Sequence, residues 1–231
     1  TVVNPYPSKV NRTHTISEVL KNFSDLETKK QEIFLAGRIM TIRGHGNLSF
    51  ANLKDFSGEM QLAFSKNELG DDNYKNFVKL IDMADFLEVS GVCFLTHKGE
   101  PSLLIKSYRV LSKALLPLPE KWHGLKDDEE KLRKRYLDLL LDNDLRDLFV
   151  KKAKFWQVTR DLIIKKGFFE VETPVLETTT GGAEARPFKT HHNDFAIDVF
   201  MRISIGELWQ KRLMAAGYEK TFEIGKAFRN E

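Results

Sequence analysis

Cysteine is almost absent: Cys93 is the one thiol in 231 residues. That excludes an internal disulfide framework and any multi-cysteine zinc site, and it fits a reducing compartment. No apolar run approaches the ~20 residues that span a bilayer. The opening Thr1-Val-Val-Asn-Pro-Tyr-Pro7 lacks the basic region and apolar stretch of a signal peptide. There is no Walker-type phosphate loop, no nucleophile elbow and no internal repeat. His191-His192 lacks the further ligands of a zinc site and reads as a solvated pair in a polar loop. An excess of one charge is also missing. Lys plus Arg number 36 against 33 Asp plus Glu, a formal net charge of +3. Any basic surface must therefore come from local clustering. No initiator Met opens the chain, and nothing after Phe228-Arg229-Asn230-Glu231 stops the element these residues sit in, so both ends read as cut.

Hydrophobic residues supply 42% of the chain, enough for a packed core in one large domain or two smaller ones. Thr15 and Glu18 form a capping box, and Ile16, Val19, Leu20 and Phe23 follow at helical spacing, so residues 15–29 read as one amphipathic helix. The period then changes. Strands are expected over 33–42, 48–54 and 59–64, a helix over 71–81, and two more strands over 86–96 and 103–111. Three strands, a helix and two strands in this order form the layout of an OB-fold barrel, which binds oligonucleotides on its strand 2–3 face.

Pro117, Pro119 and Gly124 mark residues 113–126 as a linker between a domain over 1–112 and another over 127–231. Asp127-Asp-Glu-Glu130 places acids at a helix start, where the helix dipole favours them. Leu132, Tyr136, Leu139 and Leu140 read as its buried stripe. A longer helix spans 144–166, with Leu148, Phe149, Trp156 and Ile163 among its apolar residues, and Gly167 can end it in a left-handed conformation. The extended segment up to Pro174 reads as an edge strand, to which proline is confined.

Three constellations carry chemistry. An exposed aromatic at Phe50 can stack a base, and Arg43 and Gln61 beside it can bind base edges; on the strand pattern alone Phe50 reads more readily as a core residue. Thr180-Gly181-Gly182-Ala183 can bring backbone close to a small ligand, or be a flexible turn. Residues 222–231 alternate like a strand. They end in Arg229, whose fork suits phosphate oxygens but also serves in surface ion pairs.

The order of these pieces is more informative than any one. The OB-like layout is followed by Trp122-His-Gly-Leu125, Arg135-Tyr-Leu-Asp-Leu139 and Lys166-Gly-Phe-Phe169 with Pro174. Then come Gly181-Gly-Ala-Glu-Ala-Arg-Pro-Phe188 and Phe228-Arg-Asn-Glu231. Together they resemble class II lysyl-tRNA synthetases over nearly the whole chain. The resemblance implies a mixed α+β fold: a five-stranded OB-fold β-barrel followed by the first part of an antiparallel-sheet catalytic domain. It also implies ATP-dependent ligation of L-lysine to tRNA(Lys) through lysyl-adenylate, with Mg²⁺ ligands beyond residue 231 and none within this chain. A cytoplasmic homodimer with no membrane association is implied as well.

By the same resemblance Arg43, Phe50, Gln61 and Glu100 are the anticodon readers, which favours the stacking role for Phe50. Gly167 and Pro174 belong to the dimer motif, Gly182 and Glu207 to the lysine site, and Arg229, Asn230 and Glu231 to the ATP site, with Arg229 and Glu231 as the catalytic pair. One departure stands out. Ser204-Ile205-Gly206 separates Ile203 from Glu207 where the family pattern has two residues, so a bulge is expected there, although Glu207 keeps the family's usual interval to Arg229. Two alternatives remain: an aspartyl- or asparaginyl-tRNA synthetase, or a non-catalytic OB-fold module that binds single-stranded RNA.

Overall fold

The structure, a computed structural model, describes residues 7–119 and 127–231. Trp122-His-Gly-Leu125 and the linker over 120–126 lie outside the described residues. Contacts divide the chain into two compact units, Thr1–Leu141 and Asp142–Glu231.

In the first unit the capping box at Thr15 forms, with Glu18 Oε2 accepting from Thr15 N at 2.7 Å. The helix it starts is shorter than expected. It ends at α1 (Ile16–Lys21), and a second helix, α2 (Phe23–Lys29), follows. Asn22 breaks the run because its backbone leaves helical geometry at φ −106°, ψ 19°. Its side-chain amide donates back to Glu18 O, the competition with regular helix that Asn is prone to.

The strands are β1 (Glu32–His45), β2 (Leu48–Lys54), β3 (Glu59–Ser65), β4 (Phe86–Leu95) and β5 (Pro101–Ser112). Two helices, α3 (Lys66–Leu69) and α4 (Asp71–Leu80), lie between β3 and β4. The long β1 serves twice. Its first half pairs with β4 and its second with β2, the latter register shifting between Ile39 and Thr41. A parallel β3–β5 pairing completes a closed barrel in the order β1-β2-β3-β5-β4. Gly91 is required where β4 meets β5, since a Cβ there would lie 2.2 Å from Leu104 O.

Alternate residues fill the barrel, with Leu35, Ile39, Leu53, Leu62, Leu87, Leu103 and Ile105 among those fully buried. Helix α4 plugs it with Phe77, stacked on Phe64 at 3.7 Å between ring centroids. Cys93 is buried with them, and burial pushes its thiol up to about 11.

Helices α5 (Asp128–Arg133) and α6 (Arg135–Leu141) cluster with the first unit, so the compact boundary falls after Leu141, later than the sequence suggests. Lys54 Nζ, donating to Leu140 O at 3.0 Å, is one tie between α6 and the barrel. The stripe expected on these helices is not buried. Leu132 and Tyr136 are exposed, Leu139 and Leu140 are half-buried, and Asp138 is the buried member.

In the second unit, Asp142 caps α7 (Asn143–Lys165). Gly167 ends it as expected, at φ +82°, with Phe168 N donating to Ile163 O. Yet α7 buries none of its residues, and Leu148, Phe149 and Trp156 are exposed. The extended segment up to Pro174 is a strand only over its first two residues, and a second short strand, in a different sheet, follows the proline. β6 (Phe169–Glu170) pairs in parallel with β10 (Thr221–Phe222). β7 (Leu176–Glu177) joins an antiparallel sheet with β9 (Ile197–Met201) and β8 (Lys189–His192), in the order β7-β9-β8. His191 and His192 therefore lie in a strand, not a loop, and His191 Nδ1 meets Asp198 Oδ1 at 3.0 Å. The strand expected over 222–231 pairs as a strand only through Phe222. Beyond it, single bonds from Phe228 N to Arg202 O and Asn230 N to Arg186 O hold the segment. Helix α8 (Glu207–Ala215) lies between β9 and β10.

One carboxylate ties α1 to the β2–β3 turn. Asp55 accepts from Ile16 N (3.0 Å), Ser57 N (2.7 Å), Ser57 Oγ (2.6 Å) and Gly58 N (3.0 Å). Partial burial alone would raise its pKa, but these donors outweigh it and hold the carboxyl below its ordinary value. A depressed folded-state pKa stabilises the fold above the unfolded-state value, and that contribution is lost as pH falls through the folded-state value. Urea midpoints should therefore drop as pH is taken below about 4. Asp55→Asn should lower the midpoint at pH 7 and flatten the acid limb. An acid limb as steep in Asp55→Asn as in wild type would refute the assignment.

Candidate functional site

The first candidate site lies on the outside of the barrel. Along β2 the burial alternates: Ser49, Ala51 and Leu53 are buried, while Leu48, Phe50 and Asn52 are half-buried. Phe50 is thus directed away from the core cluster and is not a member of it. Strand register places Arg43 opposite Phe50 across β1–β2, and Gln61 opposite Asn52 across β2–β3. The β4–β5 turn brings Glu100 to the same place, with Gly99 at φ +75° and Thr96 N donating to Glu100 O at 3.1 Å.

Arg43, Phe50, Gln61 and Glu100 consequently line one concavity of ≈ 640 Å³, together with Leu48 and Lys98. Arg43 and Glu100 are exposed and Phe50 is half-buried, whereas Gln61 is 6% exposed and hydrogen-bonded at both ends of its amide. Arg43 Nη2 donates to its Oε1 (3.2 Å), and its Nε2 donates to Ser102 Oγ (2.9 Å). The groove thus offers an aromatic face, a donor-only guanidinium, an amide and a carboxylate, with a Lys at the rim. That suits a stacked, edge-read base with its phosphate nearby. Ser102 carries no motif and is missed by sequence reasoning, because only the strand register brings it to Gln61.

The second candidate site is built around a buried ion pair in the other unit. Arg202 Nη1 meets Glu223 Oε1 at 2.5 Å, with the two side chains 5% and 6% exposed. Arg202 also donates from Nη1 to Thr173 Oγ1 (3.0 Å) and from Nε to Lys226 O (2.9 Å), while Thr173 Oγ1 donates to Glu223 Oε2 (2.6 Å). Backbone approaches closely at two glycines. A Cβ at Gly225 would stand 2.3 Å from Arg202 Nη2, and one at Gly206 would stand 2.9 Å from Glu223 Oε2.

The expected bulge takes the form of a bend over residues 203–206, outside any strand ladder, closing on Gly206 at φ +59°. Gly206 is the N-cap of α8, and Glu207 is its first residue, so the carboxylate sits at the positive end of the helix dipole. Gly182, at φ +90°, faces it: a Cβ there would lie 2.6 Å from Glu207 Oε2 and 2.2 Å from Ser204 Oγ. Gly182 and Glu207 are therefore neighbours. Arg229 Nε reaches Ile203 O at 3.4 Å, and Asn230 N donates to Arg186 O, so both come from the extended segment after β10 toward the same region. Glu231 is exposed. Gly167 lies at the end of α7, and Pro174 follows Thr173 between β6 and β7, where it lines a concavity with Leu208 of α8. Sequence reasoning did not single out Arg202, Glu223 or Thr173 as site residues. A charge alternating with apolar neighbours reads as solvent-facing, and only the burial of both partners reveals the pair.

Among the described residues, no group of three His, Cys, Asp or Glu side chains comes together to hold a metal ion, and no helix is long and apolar enough to cross a membrane.

Two family models match the chain: an OB-fold nucleic acid binding domain over residues 33–111, and the class II tRNA synthetases (D, K and N) over residues 127–231. This order of domains is that of the class II tRNA synthetases that carry an OB-fold domain, which the chain resembles over both regions. Within that class it is similar to curated lysine–tRNA ligases. It is 47% identical over 229 residues to that of Carboxydothermus hydrogenoformans, 46% over 224 to that of Clostridium tetani and 45% over 230 to that of Roseiflexus castenholzii. These matches cover 97–99% of this chain but 44–47% of each relative. The chain thus spans just under half the length of the curated relatives it matches.

Proposed function

We propose that the protein to which this chain belongs ligates L-lysine to tRNA(Lys) with ATP. The lysine carboxylate attacks the α-phosphorus, pyrophosphate leaves, and the acyl group of the adenylate passes to the tRNA 3′ end. The observation that carries this reading is the approach of Gly182 to the Glu207 carboxylate at the start of α8. Only a glycine lets the backbone come this close to the carboxylate, and that carboxylate supplies one negative group for the α-ammonium of a small amino acid.

Arg229 is the partner for the α-phosphate, and Asn230 and Glu231 begin the ATP-binding loop. The chemistry needs no protein nucleophile. Positioning and a fixed positive charge at the phosphate are what the residues supply. Mg²⁺ accompanies ATP in such chemistry. The described residues assemble no cluster of His, Cys, Asp or Glu for it. In a cytoplasmic enzyme of this kind, the barrel groove reads the anticodon loop, whose central base for lysine is uridine. The lysine reading is favoured over an aspartate or asparagine one by the identity to lysine–tRNA ligases.

Glu207→Ala in the full-length protein removes one member of a charged pair, a loss of roughly 2–5 kcal/mol where such a pair is buried. Lysine-dependent pyrophosphate exchange should fall at least about tenfold, since each 1.4 kcal/mol is a factor of ten. Unchanged lysine KM and kcat would remove Glu207 from the site.

Homodimerisation through residues 166–176 fits the exposure of Phe168, Phe169 and Val175 around Gly167 and Pro174. Light scattering of the full-length protein at low micromolar concentration should report a dimer, and a clean monomer would end this assignment.

The barrel site can be tested on the present chain. It should bind a short stem-loop RNA with the lysine anticodon, more weakly as salt rises. Phe50→Ala should weaken binding by about 5- to 150-fold, the equivalent of ~1–3 kcal/mol of stacking. Equal binding by wild type and Phe50→Ala, with unchanged circular dichroism, would show that Phe50 does not touch the base.

A further inference from the structure

The amide of Gln61 can be placed either way round by rotation about its last bond, and the two placements read different bases. A directed line of hydrogen bonds fixes it. A guanidinium has no acceptor, so the atom that Arg43 Nη2 meets at 3.2 Å is the amide oxygen. Gln61 Nε2 then donates to Ser102 Oγ at 2.9 Å, and the Ser102 hydroxyl donates onward to Glu100 O at 3.2 Å. A carbonyl can only accept, so the line has one direction from end to end. Its two ends differ in rigidity. Glu100 O also accepts from Thr96 N across the β4–β5 turn, and Ser102 is 0% exposed, whereas Arg43 is exposed. The nitrogen of the amide is therefore tied inward and its oxygen is turned toward the groove side.

We infer that Ser102 is a positioning residue for base selection. By accepting from Gln61 Nε2 it keeps Oε1 as the outward atom, so a base stacked on Phe50 must bring a ring N–H to it. Uridine carries that hydrogen at N3. Cytidine carries a lone pair there and is matched only by the reversed amide. The inference rests on the loop reading proposed above and names the residue that sets its pyrimidine preference. Ser102 is fully buried, so its effect on RNA runs through Gln61.

The test uses the 231-residue chain and two stem-loop RNAs that differ only in uridine or cytidine at the central loop position, with Kd read by fluorescence anisotropy. Wild type should prefer uridine by roughly tenfold or more, the scale of one hydrogen bond gained against one mismatched. Ser102→Ala, a smaller side chain that the fold accommodates, should shrink that preference severalfold, and Ser102→Thr, which keeps the hydroxyl, should restore it. In a Gln61→Ala background, adding Ser102→Ala should leave the ratio where Gln61→Ala put it, because both changes remove the same contact. A full uridine preference in Ser102→Ala, or an equal loss in both backgrounds, overturns the role given to Ser102. A wild-type chain that binds both loops equally takes the loop reading down with it, and so separates that failure from a failure of Ser102 alone.

Discussion

The second unit is organised by one buried ion pair. Arg202 and Glu223 come from segments that share no strand ladder. Their side chains are almost wholly removed from solvent, and each is satisfied a second time by Thr173. Charges so buried are tolerated only when paired and fully hydrogen-bonded, and removing one partner of such a pair typically costs about 3–5 kcal/mol. The geometry that satisfies them also sets the site. Thr173 fixes the end of the segment after β6, Arg202 the end of β9, and Glu223 the residue after β10. Gly206 and Gly225 let the backbone close over the pair. The bend over residues 203–206 can then deliver Glu207 to Gly182. The extra residue before Glu207 is thereby absorbed in a turn, and α8 starts on the carboxylate.

The barrel solves a different problem. Its core is apolar and complete, so its outer face is free to hold polar groups that contribute nothing to the interior. Phe50, Arg43 and Gln61 occupy alternate, outward positions of β1, β2 and β3. The rigid ladder beneath them fixes their spacing without using their side chains. Only Gln61 is drawn into cover, and its amide is satisfied at both ends. In the proposed reading a base competes only for the outer bond, from Arg43 to Gln61 Oε1, while the inner bond to Ser102 holds, so such a groove rewards the right base edge and penalises the wrong one.

Much of this was legible in the sequence where one residue dictates a local conformation. The capping box at Thr15, the left-handed stop at Gly167 and the extent of β2 over residues 48–54 all read directly from residue types. Reading failed where the outcome depends on partners distant in the chain. Asn22 broke the first helix by bonding to its own backbone, a choice that apolar spacing does not register. Leu132 and Tyr136 sit at helical spacing but have no core against them. Ser102 is one serine in a strand, and only the parallel β3–β5 register puts it beside Gln61. Arg202 and Glu223 look like surface charges until both are seen to be buried together. Among the proposed readers, the strand pattern left Phe50 open between core and surface, and its position outside the core cluster resolves that geometry.

The two units also differ in how far each completes itself. In the first unit β2 alternates between buried and half-buried residues, β3 and β4 are buried over most of their length, and α1 and α4 add residues to the same core. Helix α7, by contrast, carries Leu148, Phe149, Phe155, Trp156 and Leu162 exposed, and only Val199 and Ile203 of its unit are buried apolar residues. Helices within proteins gain most of their stability from packing an apolar face, not from propensity. An exposed apolar patch of this extent is therefore a surface that folding in a longer protein, or association, must cover. The chain spans under half of its relatives' length, and this exposed apolar surface lies on α7 of the second unit. The physical consequence is an asymmetry of dependence. The groove on the barrel requires only the ladder beneath it, whereas Gly182, Glu207 and Arg229 rest on a polar hub whose apolar surroundings are unfinished.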